Sequence, residues 1–182
     1  MAHKEQKDYC LSVKSKHPNF FKNAKVLDVG SLDINGSNRY LFEDCEYTGI
    51  DVGPGKNVDI VCPGHKFEAS DGSFDVIVST ECFEHDMYFP ETLKNIIRML
   101  RPGGLFFFTC GGDGRGEHGT LRTDTFSSPN TTQIPEWANY YRNVNEQWVR
   151  EIINPEDVFE SFQFSYMPVV CDFQFWGIKK NE

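Results

Sequence analysis

Residues 25–37, Lys-Val-Leu-Asp-Val-Gly-Ser-Leu-Asp-Ile-Asn-Gly-Ser, constrain the chain more than any other segment. A short apolar run (Val26, Leu27, Val29) carries one acid, Asp28, and breaks into a loop bracketed by Gly30 and Gly36. A second run, Tyr47-Thr-Gly-Ile-Asp51, ends in another acid. That acid falls about 20 residues on, the separation at which nucleotide-binding α/β sheets hold a ribose by its hydroxyls. The two runs predict an adenosine-bearing small molecule on the carboxyl edge of a parallel sheet.

The loop discriminates between adenosine ligands. A dinucleotide fingerprint needs Gly-x-Gly-x-x-Gly, so that the backbone can touch the pyrophosphate. Here Leu32 stands two residues after Gly30, Asn35 stands five after, and Asp33 adds a charge that repels phosphate. No Gly-Lys-Ser/Thr follows. S-adenosylmethionine (SAM) carries no phosphate, and its sulfonium and amino group are cationic, so neighbouring carboxylates favour it. The expected ligand is SAM rather than NAD.

A chain of 182 residues with 16 Phe, 7 Tyr and 3 Trp can build a sizeable core, and residues 1–182 read as one domain. The longest apolar run, Leu105 to Phe108, is far too short for a bilayer, and the amino-terminal residues lack the apolar stretch of a secretory signal. Six cysteines form no Cys-x-x-Cys pair, which suits buried thiols (Cys62, Cys110 and Cys171 in or beside strands) and a reducing, cytoplasmic compartment. The net charge of -9, with 18 dispersed Lys and Arg, argues against nucleic acid as partner and for a small or neutral substrate. Oligomeric state leaves no signal.

Gln6 to Lys16 is expected to be a helix with Tyr9, Leu11 and Val13 as its apolar contacts, part of a helical cap over about residues 1–24. Strands are expected at Val26–Val29, Tyr47–Val52, Val58–Cys62, Phe74–Ser79 and Leu105–Cys110. Helices are expected at Ser37–Glu43, capped by Asn35 or Ser37, and at Glu91–Leu100, where Leu93, Ile96, Ile97 and Leu100 share one face. Arg101-Pro-Gly-Gly104 stops the latter. Residues 111–142 are mostly aperiodic and rich in Gly, Thr, Ser and Asp, the character of a functional lid or substrate loop. A helix at Asn145–Ile153 and strands at Phe159–Tyr166 and Asp172–Lys179 close an open α/β sandwich.

Five segments occur in order: Val26-Leu-Asp-Val-Gly30, Gly49-Ile-Asp51, Asp71-Gly-Ser-Phe-Asp-Val-Ile-Val78, Glu81-Cys-Phe-Glu-His85 and Met99-Leu-Arg-Pro-Gly-Gly104. Over about residues 25–110 the chain resembles the class I SAM-dependent methyltransferases of the type 11-like group. The resemblance implies a Rossmann-like three-layer sandwich whose seven-stranded, mostly parallel sheet has one antiparallel strand. It implies that Asp28, Gly30 and Ser31 hold the methionine end of SAM. It further implies that Asp51 accepts the ribose hydroxyls and that Val52 lies against the adenine. Pro63-Gly64-His65 replaces an acid that often takes the adenine amino group, so backbone groups of Gly64 or His65 substitute. Thr80 and Glu81 face the methionyl or sulfonium region, and Asn35-Gly36 takes over the close approach that Leu32 and Ile34 deny. S-adenosylhomocysteine (SAH) is the product.

Methyl transfer from a sulfonium is an in-line displacement; an O–H or N–H acceptor must also lose a proton. Glu84, His85 and His118 are the catalytic candidates, with His85 preferred because an ordinary imidazole titrates near neutrality. Arg115, Arg122, Tyr140, Tyr141 and Arg142 either clamp an acceptor or anchor the long loop. Glu81-x-x-Glu84-His85 with His118 is also similar to a divalent-ion cluster of small-RNA 2′-O-methyltransferases, but a linear sequence supplies no geometry, and no metal is assigned. The expectation is a SAM-dependent methyltransferase acting on oxygen or nitrogen of a small-molecule acceptor. The alternatives are a non-catalytic SAM-binding module and an RNA 2′-O-methyltransferase-like enzyme.

Overall fold

The computed structural model describes residues 3–181; Met1, Ala2 and Glu182, part of the expected 1–182 domain, lie outside the described residues. The strands are β1 (Lys25–Val29), β2 (Glu46–Asp51), β3 (Ile60–Val61), β4 (Phe74–Thr80), β5 (Leu100–Gly111), β6 (Phe159–Met167) and β7 (Asp172–Lys179). The helices are α1 (Lys4–Lys16), α2 (Phe89–Met99), α3 (Glu146–Ile152) and α4 (Pro155–Val158). One seven-stranded sheet runs in the order β3-β2-β1-β4-β5-β7-β6. Its first five strands pair in parallel, and β7 is inserted antiparallel between β5 and β6. This is the Rossmann-like arrangement the resemblance implied.

Alternation along the strands feeds two cores. Leu27, Val29, Phe106, Phe108, Phe173 and Phe175 pack with α2 and α3 on one face, where Phe89, Leu93, Ile96, Met99, Trp148 and Val149 are buried. Val26, Val76, Val78, Leu105, Phe107 and Trp176 pack on the other, under Cys10 and Val13 of α1. The triplet Phe106-Phe107-Phe108 is wholly buried, each ring contributing on the order of 1.5–3 kcal/mol by leaving water. It is a core strand.

Helix α2 begins two residues before the expected start, at Phe89, because Pro90 is pre-set for a first turn. It ends at Met99, after which Leu100 is extended (φ -70°, ψ 128°), and Gly103 (φ 68°) makes the turn inside β5. Helix α1 starts at Lys4, with His3 in the extended cap position before it. Its inward residues are Gln6, Cys10 and Val13, while the expected contact Leu11 is 48% exposed.

Two expected elements are shorter. Ser37–Glu43 is not an α-helix: only a 3-10 turn, Asn38–Leu41, forms behind the Ser37 cap, since so short a segment does not repay helix nucleation. The third strand shrinks from Val58–Cys62 to Ile60–Val61. All six cysteines are free; Cys110 is buried, whereas Cys62 and Cys171 are half-buried. Among the described residues, no helix is long and apolar enough to cross a membrane.

Candidate active site

Parallel strands deliver their carboxyl ends to one edge, and there the ends of β1, β2 and β4 open into a cleft of about 870 Å³, its mouth included. Asp28, Gly30, Ser31, Asn35, Gly36, Asp51, Val52, Gly64, Thr80, Glu81 and His85 line it. Three sequence candidates do not: His65, Glu84 and His118 lie outside the wall. The His65 ring stacks on Tyr88 at 4.2 Å, so only its neighbours Pro63 and Gly64 reach the cleft.

Gly30 turns the chain out of β1 with φ 80°, a conformation that glycine adopts without cost. A Cβ there would stand 2.4 Å from Cys82 Sγ, so the turn is pressed against the segment after β4. Ser31 gives its hydroxyl to Asn57 O (3.1 Å), and Asp33 Oδ1 accepts from the Gly36 N–H (2.7 Å), which folds the loop on itself.

Asp28 is buried and accepts from the Tyr47 hydroxyl. Asn38 Nδ2 approaches both of its oxygens (3.4 and 3.5 Å) and reaches Thr80 Oγ1 at 3.0 Å. Burial raises the Asp28 carboxyl to about 6, against the pull of Tyr47 and Asn38. Asp51 accepts from Asn130 Nδ2 (2.8 Å) and the N–H groups of Gly53 (3.3 Å) and Leu32 (3.4 Å). Burial pushes its pKa up, opposed first by Asn130.

Asn130 belongs to the long loop, and with it Ser127, Ser128, Pro129, Thr131 and Trp137 complete the wall. The loop therefore closes over the cleft, but with other residues than its arginines. Arg115 binds Asp172 and the Val170 carbonyl, Arg122 binds Glu117 and the Asn139 carbonyl, and Arg142 covers the Trp148 ring at 3.6 Å. None lines the cleft.

At the far end Glu81 has φ 53° and a side chain 2% exposed. Its Oε1 accepts from Thr109 (2.9 Å), and Oε2 lies 3.6 Å from His3 Nε2. His3 also meets Asp172 at 3.0 Å, and the bonds to Asp172 and then Glu81 raise its pKa to about 10. Glu81 is thus tied to α1 and does not join Glu84, His85 and His118. Burial drives the Glu84 carboxyl up to about 8 and the His85 imidazole down to about 3. His85 is therefore neutral at pH 7 and a weaker base than its ordinary pKa suggested. Asp86, also in the wall, is raised to about 6 by burial.

Residues 1–149 match the family described as "Methyltransferase domain". The search of curated proteins finds no match. Among solved structures the chain is similar to a Haemonchus contortus phosphoethanolamine N-methyltransferase 2 bound to phosphomonomethylethanolamine and S-adenosylhomocysteine, at 17% identity and TM-score 0.64. That alignment covers 96% of this chain and 53% of the other, so this chain spans about half the length of that relative. It is also similar to a Burkholderia thailandensis 1,6-didemethyltoxoflavin-N1-methyltransferase (15%, 99% and 92% covered, TM-score 0.59). A SAM-dependent methyltransferase from Aquifex aeolicus is a third (17%, 93% and 89% covered, TM-score 0.60). These identities establish the fold, and the family follows from the match over residues 1–149: the chain belongs to the methyltransferase-domain family.

Proposed function

We propose that this protein is a SAM-dependent methyltransferase that transfers a methyl group to oxygen or nitrogen of a small-molecule acceptor. The observation that carries the reading is the charge of the cleft: Asp28, Asp51, Glu81 and Asp86 line it, and no Lys or Arg does among the described residues. Such a wall suits a sulfonium and an amino group and repels a pyrophosphate. The structural relatives bound to SAM or SAH support the same donor. An acceptor bearing a phosphate would need a cation that this wall lacks, so the acceptor is uncharged or cationic.

When bound, SAM supplies an electrophilic methyl group on a good leaving group. Asp51 takes the ribose hydroxyls once Asn130 yields its bond, and Val52 and the Pro63-Gly64 backbone flank the adenine. The backbone of Gly30 and Ser31, with Asp28 behind them, receives the amino-acid end, Asn35-Gly36 closes over it, and Thr80 and Glu81 face the sulfonium. His85, neutral at physiological pH, accepts a hydrogen bond from the acceptor O–H or N–H and orients the acceptor's lone pair for in-line attack; as the new bond to carbon forms and the bond to sulfur breaks, the displaced proton passes to solvent. Glu84 and His118 set the environment of His85 from behind. Six free cysteines suit a reducing, cytoplasmic setting.

The test pairs binding with turnover. SAH at 100 times its Kd should stabilise the fold by about 2.7 kcal/mol, while NAD leaves the melting temperature unchanged. Labelled methyl should pass from SAM to a member of an amine and hydroxyl metabolite panel. Stabilisation by NAD alone would overturn the donor assignment. Tight SAH binding with no methyl release to any acceptor would leave the binding-module alternative.

A further inference from the structure

At the end of β3 the cleft offers no free group for the adenine amino group. Pro63 stands where an acid is common, and the backbone expected to substitute is already in use. The Pro63 carbonyl accepts from the Lys66 N–H (2.9 Å), and the Gly64 carbonyl accepts from Asn95 Nδ2 (2.8 Å). His65 turns away to stack on Tyr88. An amino group that leaves water without finding an acceptor costs affinity. A carboxylate reaches the same corner from the other side. Asp86 follows the 3-10 turn Phe83–His85, lines the cleft and is 5% exposed. Its Oδ1 accepts from the Tyr88 N–H (2.8 Å), which fixes the side chain at the start of α2. The nearby Thr92 hydroxyl favours its ionised form, and no cation among the described residues does. Thr92 in turn packs on the β3 end: a Cβ at Gly64 would stand 2.6 Å from Thr92 Cγ2. One side chain therefore separates Asp86 from the Pro63-Gly64 backbone. Trp137 of the long loop lines the same corner, its ring 5.7 Å from Tyr88 and 6.4 Å from His65.

We propose that Asp86 accepts a hydrogen bond from the 6-amino group of the donor's adenine and so selects adenine over 6-oxopurines. This rests on the SAM reading above and deepens it by naming the residue that reads the base. With Oδ1 held by the Tyr88 N–H, Asp86 keeps Oδ2 for the ligand. Even with its pKa raised to about 6 by burial, the carboxyl is ionised at neutral pH and presents lone pairs only. A 6-amino group donates to such an oxygen, whereas a 6-oxo group sets acceptor against acceptor, the kind of mismatch that discriminates most strongly in a buried site. The acid that reads the base thus comes from the turn after β4 rather than from the end of β3.

The experiment compares SAH with S-inosylhomocysteine, which carries a 6-oxo group and an N1–H in place of the 6-amino group, by titration calorimetry. Wild type should bind SAH more tightly by about 10-fold or more. Asp86→Asn keeps an oxygen for the Tyr88 N–H and puts an amide NH₂ where the second oxygen was. SAH should then weaken by about 10-fold or more while the inosyl analogue gains about as much, so the preference shifts by about 100-fold. A residue that only holds the turn would weaken both ligands alike, and that result would overturn the proposal. Unchanged SAH affinity in Asp86→Asn with a raised KM for the methyl acceptor would move Asp86 to the acceptor and overturn it too. Equal binding of the two ligands by wild type would overturn it without any variant, so the test stands even if Asp86→Asn folds poorly. Wild type that binds neither ligand refutes the donor reading itself, whereas SAH uptake without discrimination between the purines refutes only the role of Asp86.

Discussion

Replacing Asp51 by alanine isolates the contact on which the donor assignment turns. A hydrogen bond to a charged group contributes about 1.5–3 kcal/mol, and the ribose diol makes two. In the ligand-free protein one of these is already in use, because Asn130 Nδ2 donates to Asp51 Oδ1 at 2.8 Å. Binding therefore exchanges one bond for two, and the net contribution is about 1.5–3 kcal/mol. Asp51→Ala should weaken SAH by about 10- to 150-fold. Titration calorimetry reads this directly, and adenosine, which keeps the diol, should lose the same factor. A folded Asp51→Ala protein that binds SAH within threefold of wild type would refute the reasoning, since no other residue is assigned to the ribose.

Asn130→Ala removes the competitor for that carboxylate and should tighten SAH by about 10-fold or more, the equivalent of the about 1.5–3 kcal/mol counted for its bond; weaker binding would show that Asn130 holds the ligand instead. Gly30→Ala forces a side chain into φ 80° and onto Cys82 Sγ at 2.4 Å. Strain and overpacking together cost about 2–4 kcal/mol, and thermal melting should fall by about 5–15 °C; an unchanged midpoint would contradict the turn. His3, with its pKa raised to about 10 by Asp172 and Glu81, stabilises the fold fully below pH 6.5 and loses that contribution as pH rises towards 10. The stability difference between wild type and His3→Ala should therefore shrink from pH 6 to pH 10, and a constant difference would remove the ion pair from the account.

The parallel strands were legible because each is an apolar run ended by turn residues, and β1, β2, β4 and β5 fall within a few residues of the expected segments. The exception at β5 is its start, which reaches back to Leu100 through a turn that reads locally as a helix stop. Asp28, Gly30 and Asp51 were legible for a related reason: they sit at strand ends, where local pattern and site coincide. Asn38, Cys82, Asn130 and Trp137 also face the cleft, yet no spacing announces them. Asn38 arrives through a 3-10 turn that resembled an α-helix, and Asn130 through an aperiodic loop placed by its own hydrogen bonds. The convergence of His118 on Glu84 and His85 is likewise a property of chain closure, and no local pattern of residues encodes it.

The reversed direction of β7 has a consequence for how this edge diversifies. Every parallel strand presents its carboxyl end to the cleft side of the sheet, but β7 presents its beginning, and Asp172 arrives there from a hairpin tip. The tip, residues 168–171, carries Val169 at 80% exposure, and the Tyr166 hydroxyl just before it donates to the Asp113 carbonyl. Length and composition can change at that tip without shifting the register of β1, β2 or β4. The rim thus has one adjustable side, carried by a ribbon separate from the strands that grip the nucleoside.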